Sequence, residues 1–127
     1  MKKIKTTIIG CGRVAKHSKK IIKKYKIKNL SIVGVCDLDK KKALKYSKFF
    51  RCKHYKDFKK MQLLEKPKLT LVLSPSGHHY IHSKHALENN INVLTEKPMT
   101  MLPKNIDKLN KIAKKNKLMY GVVFQNR

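Results

Sequence analysis

The chain reads as an α/β domain built on a doubly wound parallel sheet, and two observations predict it. Short, nearly continuous apolar runs rich in Ile, Val and Leu recur along the sequence, the mark of strands covered on both faces. Between them lie amphipathic segments faced with lysine, giving the order β-α-β-α-β-α-β-α-β-α-β in 127 residues, room for one domain.

Ile4–Gly10 (IKTTIIG) predicts the first strand and a helix follows over about Val14–Lys26. Leu30–Cys36 (LSIVGVC) is the second strand. Lys40–Phe50 is a helix with Ala43, Leu44, Tyr46 and Phe50 available to bury. A short strand near Cys52–Tyr55 precedes a helical turn at Asp57–Leu64, with Asp57 as its N-cap. Leu69–Leu73 (LTLVL) is the fourth strand and about Gly77 to Asn89 the next helix. Asn92–Thr95 is the fifth strand. Pro103–Lys115 is a helix started by proline, with Ile106, Leu109, Ile112 and Ala113 read as core, and Leu118–Phe124 is the last strand.

Composition narrows the function classes. Lys+Arg number 32 against 7 Asp+Glu, a formal charge of +25, which first suggests a polyanion binder. Only Arg13, Arg51 and Arg127 are arginines, and arginine supplies the bidentate contacts that read guanine and clamp phosphate. The lysines are spread over every candidate helix, as an AT-rich coding sequence produces, so no specific nucleic-acid partner is expected. No apolar run approaches the roughly 18–20 residues of a membrane span. The lysine-rich start reaches a glycine turn before any secretory apolar stretch accumulates. Cys11, Cys36 and Cys52, an odd count without metal-ligand spacing, suit a reducing cytoplasm.

Gly10-Cys11-Gly12-Arg13-Val14-Ala15 is a G-x-G-x-x-A fingerprint between the first strand and the first helix. Gly10 permits a tight turn, Gly12 lets backbone approach a pyrophosphate, and small Ala15 lets the helix pack close to the sheet. The helix N-terminus then points its free N–H groups at the anion. Asp37 ends the second strand, where an acidic residue accepts ribose hydroxyls. A carboxylate there favours NAD over NADP, although Lys40, Lys41 and Lys42 follow closely and offset some repulsion of a 2′-phosphate.

Ser74-Pro75-Ser76-Gly77-His78-His79 leaves the fourth strand and Glu96-Lys97-Pro98 the fifth, both at the carboxyl edge where ligands of such sheets bind. With GCGRVA, VCDLD, SPSGHH, TEKPM and the closing FQNR, the whole chain resembles the Gfo/Idh/MocA family of nicotinamide-dependent sugar oxidoreductases, whose fold is a Rossmann domain. SPSG, TEKPM and QNR look most like the nucleotide-sugar 3-dehydrogenases acting on UDP-N-acetylglucosamine-type sugars for polysaccharide synthesis.

The resemblance implies roles. Ser74, Pro75 and Ser76 stand in the family's loop over the cofactor, and His79 falls on that motif's histidine. Glu96 and Lys97 match the E-K-P pair, with Lys97 the catalytic lysine beside the nicotinamide and the substrate hydroxyl. Pro98 fixes the turn, and Arg127 matches an arginine near the nicotinamide end. Asn89-Asn90 replaces the usual glycine after the helix, and Asn is the next best left-handed residue. The resemblance also implies a partner α/β domain, missing from these 127 residues, which carries the acid/base histidine. The chain alone is therefore expected to bind NAD weakly and to turn over little substrate.

Other readings of the same residues remain. His78, His82 and His85 share helical spacing that suits a metal, but without an acidic or Cys partner they read as half-exposed helix residues, and no metal is expected. Cys11 is either a redox-sensitive thiol or a backbone contributor between two glycines, the commoner case. For the whole chain, a stand-alone dinucleotide-binding regulatory module and a polyanion-binding protein on a Rossmann scaffold are the alternatives.

Overall fold

The computed structural model describes residues 3–12, 15–16, 19–20, 29–97 and 99–122. Six strands form one sheet: β1 (Ile4–Ile9), β2 (Leu30–Cys36), β3 (Lys53–Tyr55), β4 (Leu69–Val72), β5 (Asn92–Thr95) and β6 (Tyr120–Val122). Every pairing is parallel and the spatial order is β3-β2-β1-β4-β5-β6. That is the doubly wound order with its reversal between β1 and β4, where a crevice opens at the carboxyl ends.

Four helices are bounded within the described residues: α1 (Lys40–Phe50), α2 (Phe58–Glu65), α3 (His79–Glu88) and α4 (Pro103–Lys115). Asp39 caps α1 by accepting from the Lys41 and Lys42 amides, and Asp57 caps α2 by accepting from the Lys59 amide. Each cap satisfies amides that the first turn cannot bond internally. Asn90 has φ 62°, the left-handed conformation expected of the residue standing where a glycine is usual. Ala15, Lys16, Lys19 and Lys20 are helical, and the rest of the helix expected over Val14–Lys26 lies outside the described residues.

Side chains alternate across the sheet. Ile8 of β1 and Leu71 of β4 pack with Ala15, Val35 and Tyr46 on one face. Ile9 and Cys36 meet Met61 of α2 on the other, where Val72 and Val93 pack on Leu87 and Leu109. Each such aliphatic side chain contributes about 1.5–3 kcal/mol of burial. That second face also holds a closed polar triangle. Thr7 Oγ1 donates to Gln62 Oε1 at 2.9 Å, Gln62 Nε2 donates to Thr70 Oγ1 at 2.7 Å, and the two hydroxyls bond at 2.9 Å. All three residues are buried, and the triangle pairs their polar groups with one another while tying α2 to β1 and β4.

Differences from the expected boundaries are local. The first strand stops at Ile9 because Gly10 turns to φ +101°. The helix expected from about Gly77 begins as a 3-10 turn at Ser76–His78 and becomes α3 at His79. The last strand begins at Tyr120 and not at the expected Leu118, and residues 123–124 of the expected span lie outside the described residues.

Candidate functional site

The carboxyl edge carries a cleft of about 560 Å³ at the β1/β4 reversal. Gly10, Gly12, Asp37, Leu38, Ser74 and Pro75 line it. Phe58, Ile81 and His82 also line it. The cleft is an apolar slot with one carboxylate, flanked by Lys42 and Lys56.

The two glycines do different work. A Cβ on Gly10 would lie 2.5 Å from the Ser74 amide nitrogen and 2.6 Å from the Leu73 carbonyl carbon. This turn therefore touches the end of β4, and only glycine fits. Beyond its chain neighbours, no described residue comes within 4 Å of a Cβ placed on Gly12, so the described residues leave open space over it. Tyr46 of α1 donates its hydroxyl to the Gly12 carbonyl at 3.1 Å and braces the loop from behind. Lys16 donates its amide to the same carbonyl at 3.2 Å.

Asp37 lies beside that loop, half-buried. Its Oδ2 accepts from the Cys11 amide and its Oδ1 from the Asp39 amide, both at 2.8 Å. The carboxylate thus pins the glycine loop to the end of β2 and keeps one lone pair per oxygen for a ligand. Cys11 contributes backbone here. Its thiol is buried, and burial, reinforced by Asp37, pushes it up to about 12, which leaves no reactive thiolate at neutral pH.

On the β4 side, His79 is 1% exposed and its Nε2 donates to the Ser74 carbonyl at 2.6 Å. The ring bonds loop backbone, and His79 does not line the cleft. Ser74 Oγ bonds His82 Nδ1 at 2.8 Å, so two histidines one helical turn apart hold this one loop residue. The rings of His78 and His82 stack at 5.8 Å, and Phe58 meets His82 edge-on at 4.5 Å.

Glu96 and Lys97 stand one strand further along the edge. The Glu96 amide donates to the Val72 carbonyl at 3.0 Å, fixing its place beside the end of β4. Its side chain is 8% exposed, yet Oε2 has no hydrogen-bond partner among the described residues. A buried carboxylate oxygen without a donor is costly unless a ligand supplies one. Lys97 is exposed.

Residues 4–124 match the model of the Gfo/Idh/MocA family, described as the oxidoreductase family with an NAD-binding Rossmann fold. The chain belongs to this family. It is similar to glucose-6-phosphate 3-dehydrogenase of Bacillus subtilis (strain 168), 34% identical over 101 residues, which make up 80% of this chain and 27% of that protein. The structure resembles the WlbA dehydrogenase of Chromobacterium violaceum, solved with NADH and UDP-GlcNAcA. The two share 27% identity with a TM-score of 0.92 over 100% of this chain and 36% of that one. It shares its fold with the UDP-N-acetylglucosamine 3-dehydrogenase GnnA of Acidithiobacillus ferrooxidans, at TM-score 0.80 and 22% identity over 96% of this chain and 38% of that one. The chain therefore spans about a quarter to two-fifths of the length of these relatives.

The site residues fit the family's dinucleotide. The half-satisfied Asp37 carboxylate, the open side of Gly12 and the orphaned Glu96 oxygen follow the ends of β2, β1 and β5 along one edge. Gly10, Gly12, Asp37, Ser74 and Pro75 share the cleft, whereas Ala15 is buried in the core beneath it and Ser76 is exposed in the 3-10 turn. Arg13, Val14, Pro98 and Arg127 lie outside the described residues. Sequence reading missed Tyr46 and Phe58 as site residues. Their apolar helical spacing marks them as core, and only the long-range contacts reveal the second use.

The histidine-rich wall makes stability depend on pH. Burial, with the neighbouring histidines, lowers His82 to about 4 from an ordinary 6.5. The unfolded chain then binds more protons than the folded one between those values, so stability rises with pH across that window. The contribution is complete above about 6.5 and is lost as pH falls toward 4. Moving from pH 7 to pH 5 is expected to cost of order 1 kcal/mol through this group, allowing for its partial exposure. Urea unfolding of the His82→Gln variant is expected to show a flatter pH dependence than the parent over that interval.

Proposed function

We propose that these residues form the cofactor-binding half of a dehydrogenase acting on a phosphorylated or nucleotide-linked sugar, working in the cytoplasm. The observation that carries the reading is the alignment of Gly12, Asp37, Ser74 and Glu96 along one sheet edge. The names of the relatives support the sugar substrate.

In this reading the loop from Gly10 through Arg13 and Val14, with the helix it opens, holds the pyrophosphate. Asp37 accepts from the adenosine ribose through its remaining lone pairs. Ser74, Pro75 and Ser76 cover the middle of the cofactor, held in place by His79 and His82. Glu96 Oε2 takes the hydroxyl it lacks in the protein alone. Lys97 orients the substrate hydroxyl whose carbon is oxidised, and Arg127 is assigned the role that the family resemblance gives it near the nicotinamide. When bound, the nicotinamide supplies the hydride acceptor. The group that takes the hydroxyl proton is assigned to a substrate domain outside residues 1–127.

Titration of the chain with NADH, followed by cofactor fluorescence, tests this directly. Saturable binding with a Kd of about 0.1–1 mM is expected, with no measurable turnover of glucose 6-phosphate or UDP-N-acetylglucosamine. Absence of saturable binding overturns the cofactor-half reading. Robust turnover overturns the assignment of the proton acceptor to another domain.

A further inference from the structure

Helix α4 divides into two faces. Leu109 and Ala113 are buried with Val93 of β5 and Leu87 of α3, and Ile112 packs on the same cluster. The outward face carries Lys104, Lys108, Lys111 and Lys115, all exposed. Their offsets of four, three and four residues keep them within about 60° of one another around the axis, in a row about 16 Å long. None of the four forms an ion pair with a carboxylate of the described residues, and Asp107 is the one acid in the helix.

The other lysine-bearing helices are built differently. On α3, Lys84 holds Glu88 at 3.5 Å. On α1, Lys40, Lys41 and Lys42 follow one another directly after Asp39, and three successive residues point in three directions. Lys45 and Lys48 add only a pair further along that helix. In a chain of formal charge +25, α4 thus presents its cations as a straight, unneutralised row.

Charge complementarity points to the occupant. A row of about 16 Å spans about five phosphates of one DNA strand, which follow at about 3.4 Å along the axis. Residues 103–115 include no aromatic side chain, so the helix offers nothing on which unpaired bases could stack. Its buried apolar residues are committed to the core, whereas an interfacial helix needs such residues for the bilayer. Lysines act as point charges, which suits contact with a backbone and not with base edges. We propose that the lysine row of α4 is a docking surface for the phosphate backbone of duplex DNA, bound without regard to sequence. None of the four lysines lines the cleft, so this inference stands apart from the cofactor-half reading.

The test is fluorescence anisotropy of a labelled duplex, about 20 bp long, titrated with the whole chain at about 50 to about 200 mM salt. Micromolar binding at the lower salt is expected. Four phosphate contacts give a log–log salt slope of about −3.6, so affinity falls about 100-fold over that range. Lys108→Gln combined with Lys111→Gln weakens binding at least about ten-fold and brings the slope to about −1.8. The same charge removed from α1, by Lys45→Gln with Lys48→Gln, weakens it less than about three-fold and leaves the slope unchanged. Glutamine keeps the helix propensity of these exposed positions, and circular dichroism confirms folding. Equal weakening by the two pairs overturns the proposal, since net charge alone then accounts for binding. A single strand bound more tightly than the duplex overturns it as well. So does a α4 pair that loses binding to phosphatidylserine vesicles while keeping the duplex. Absence of saturable binding at the lower salt overturns it outright.

Discussion

Replacing Gly10 with alanine is expected to destabilise the domain by about 3 kcal/mol or more. Two independent costs add. At φ +101° an L side chain is strained whatever its surroundings. The new Cβ also falls 2.5–2.6 Å from main-chain atoms of Leu73 and Ser74, which no rotamer change relieves. Relief requires β1 and β4 to part at their carboxyl ends, where Leu73 N bonds the Ile9 carbonyl at 2.8 Å. At this chain length the loss corresponds to a fall in Tm of about 10 °C or more. Thermal unfolding by circular dichroism measures it. A fall under about 3 °C would mean that the strand ends yield far more easily than a packed parallel sheet should.

The same residue shows how far sequence reading reached. Gly10 announces a turn because the fingerprint places it after an apolar run, and the turn is there. The parallel order is legible for a similar reason, since apolar strands alternating with amphipathic helices leave few topologies open. Local chemistry also reads through: Asp57 caps α2 and Asn90 adopts the left-handed conformation. What escapes is partner choice across the fold. Nothing near Tyr46 in the chain says that its hydroxyl reaches Gly12, 34 residues away. Gln62, in a helix beside two strands it does not adjoin in sequence, looks like a surface residue until Thr7 and Thr70 enclose it. The motif histidine is legible as part of a cofactor loop. That its ring is buried and bonded to the Ser74 carbonyl is visible only once α3 is laid against β4.

Gly12 carries the complementary expectation. Gly12→Val is expected to leave the fold intact, with Tm within about 3 °C of the parent, while raising the NADH Kd at least about 30-fold. Among the described residues beyond its chain neighbours, no atom lies within 4 Å of its Cβ position, so none of them resists the substitution. The Gly12 carbonyl keeps its bonds from Tyr46 and Lys16, because both use backbone that valine retains. What valine fills is the space through which a pyrophosphate must approach the helix amides, and a branched side chain there holds the anion beyond hydrogen-bonding distance. Thermal unfolding and an NADH titration on one preparation give both numbers. Lost binding with an unchanged Tm places the ligand directly over Gly12. Retained binding would mean that the open space above this loop serves no anion, which would remove the central support for a dinucleotide at this edge. The contrast with Gly10 is physical. One glycine lacks a side chain because the protein's own backbone occupies the space, the other because a ligand must.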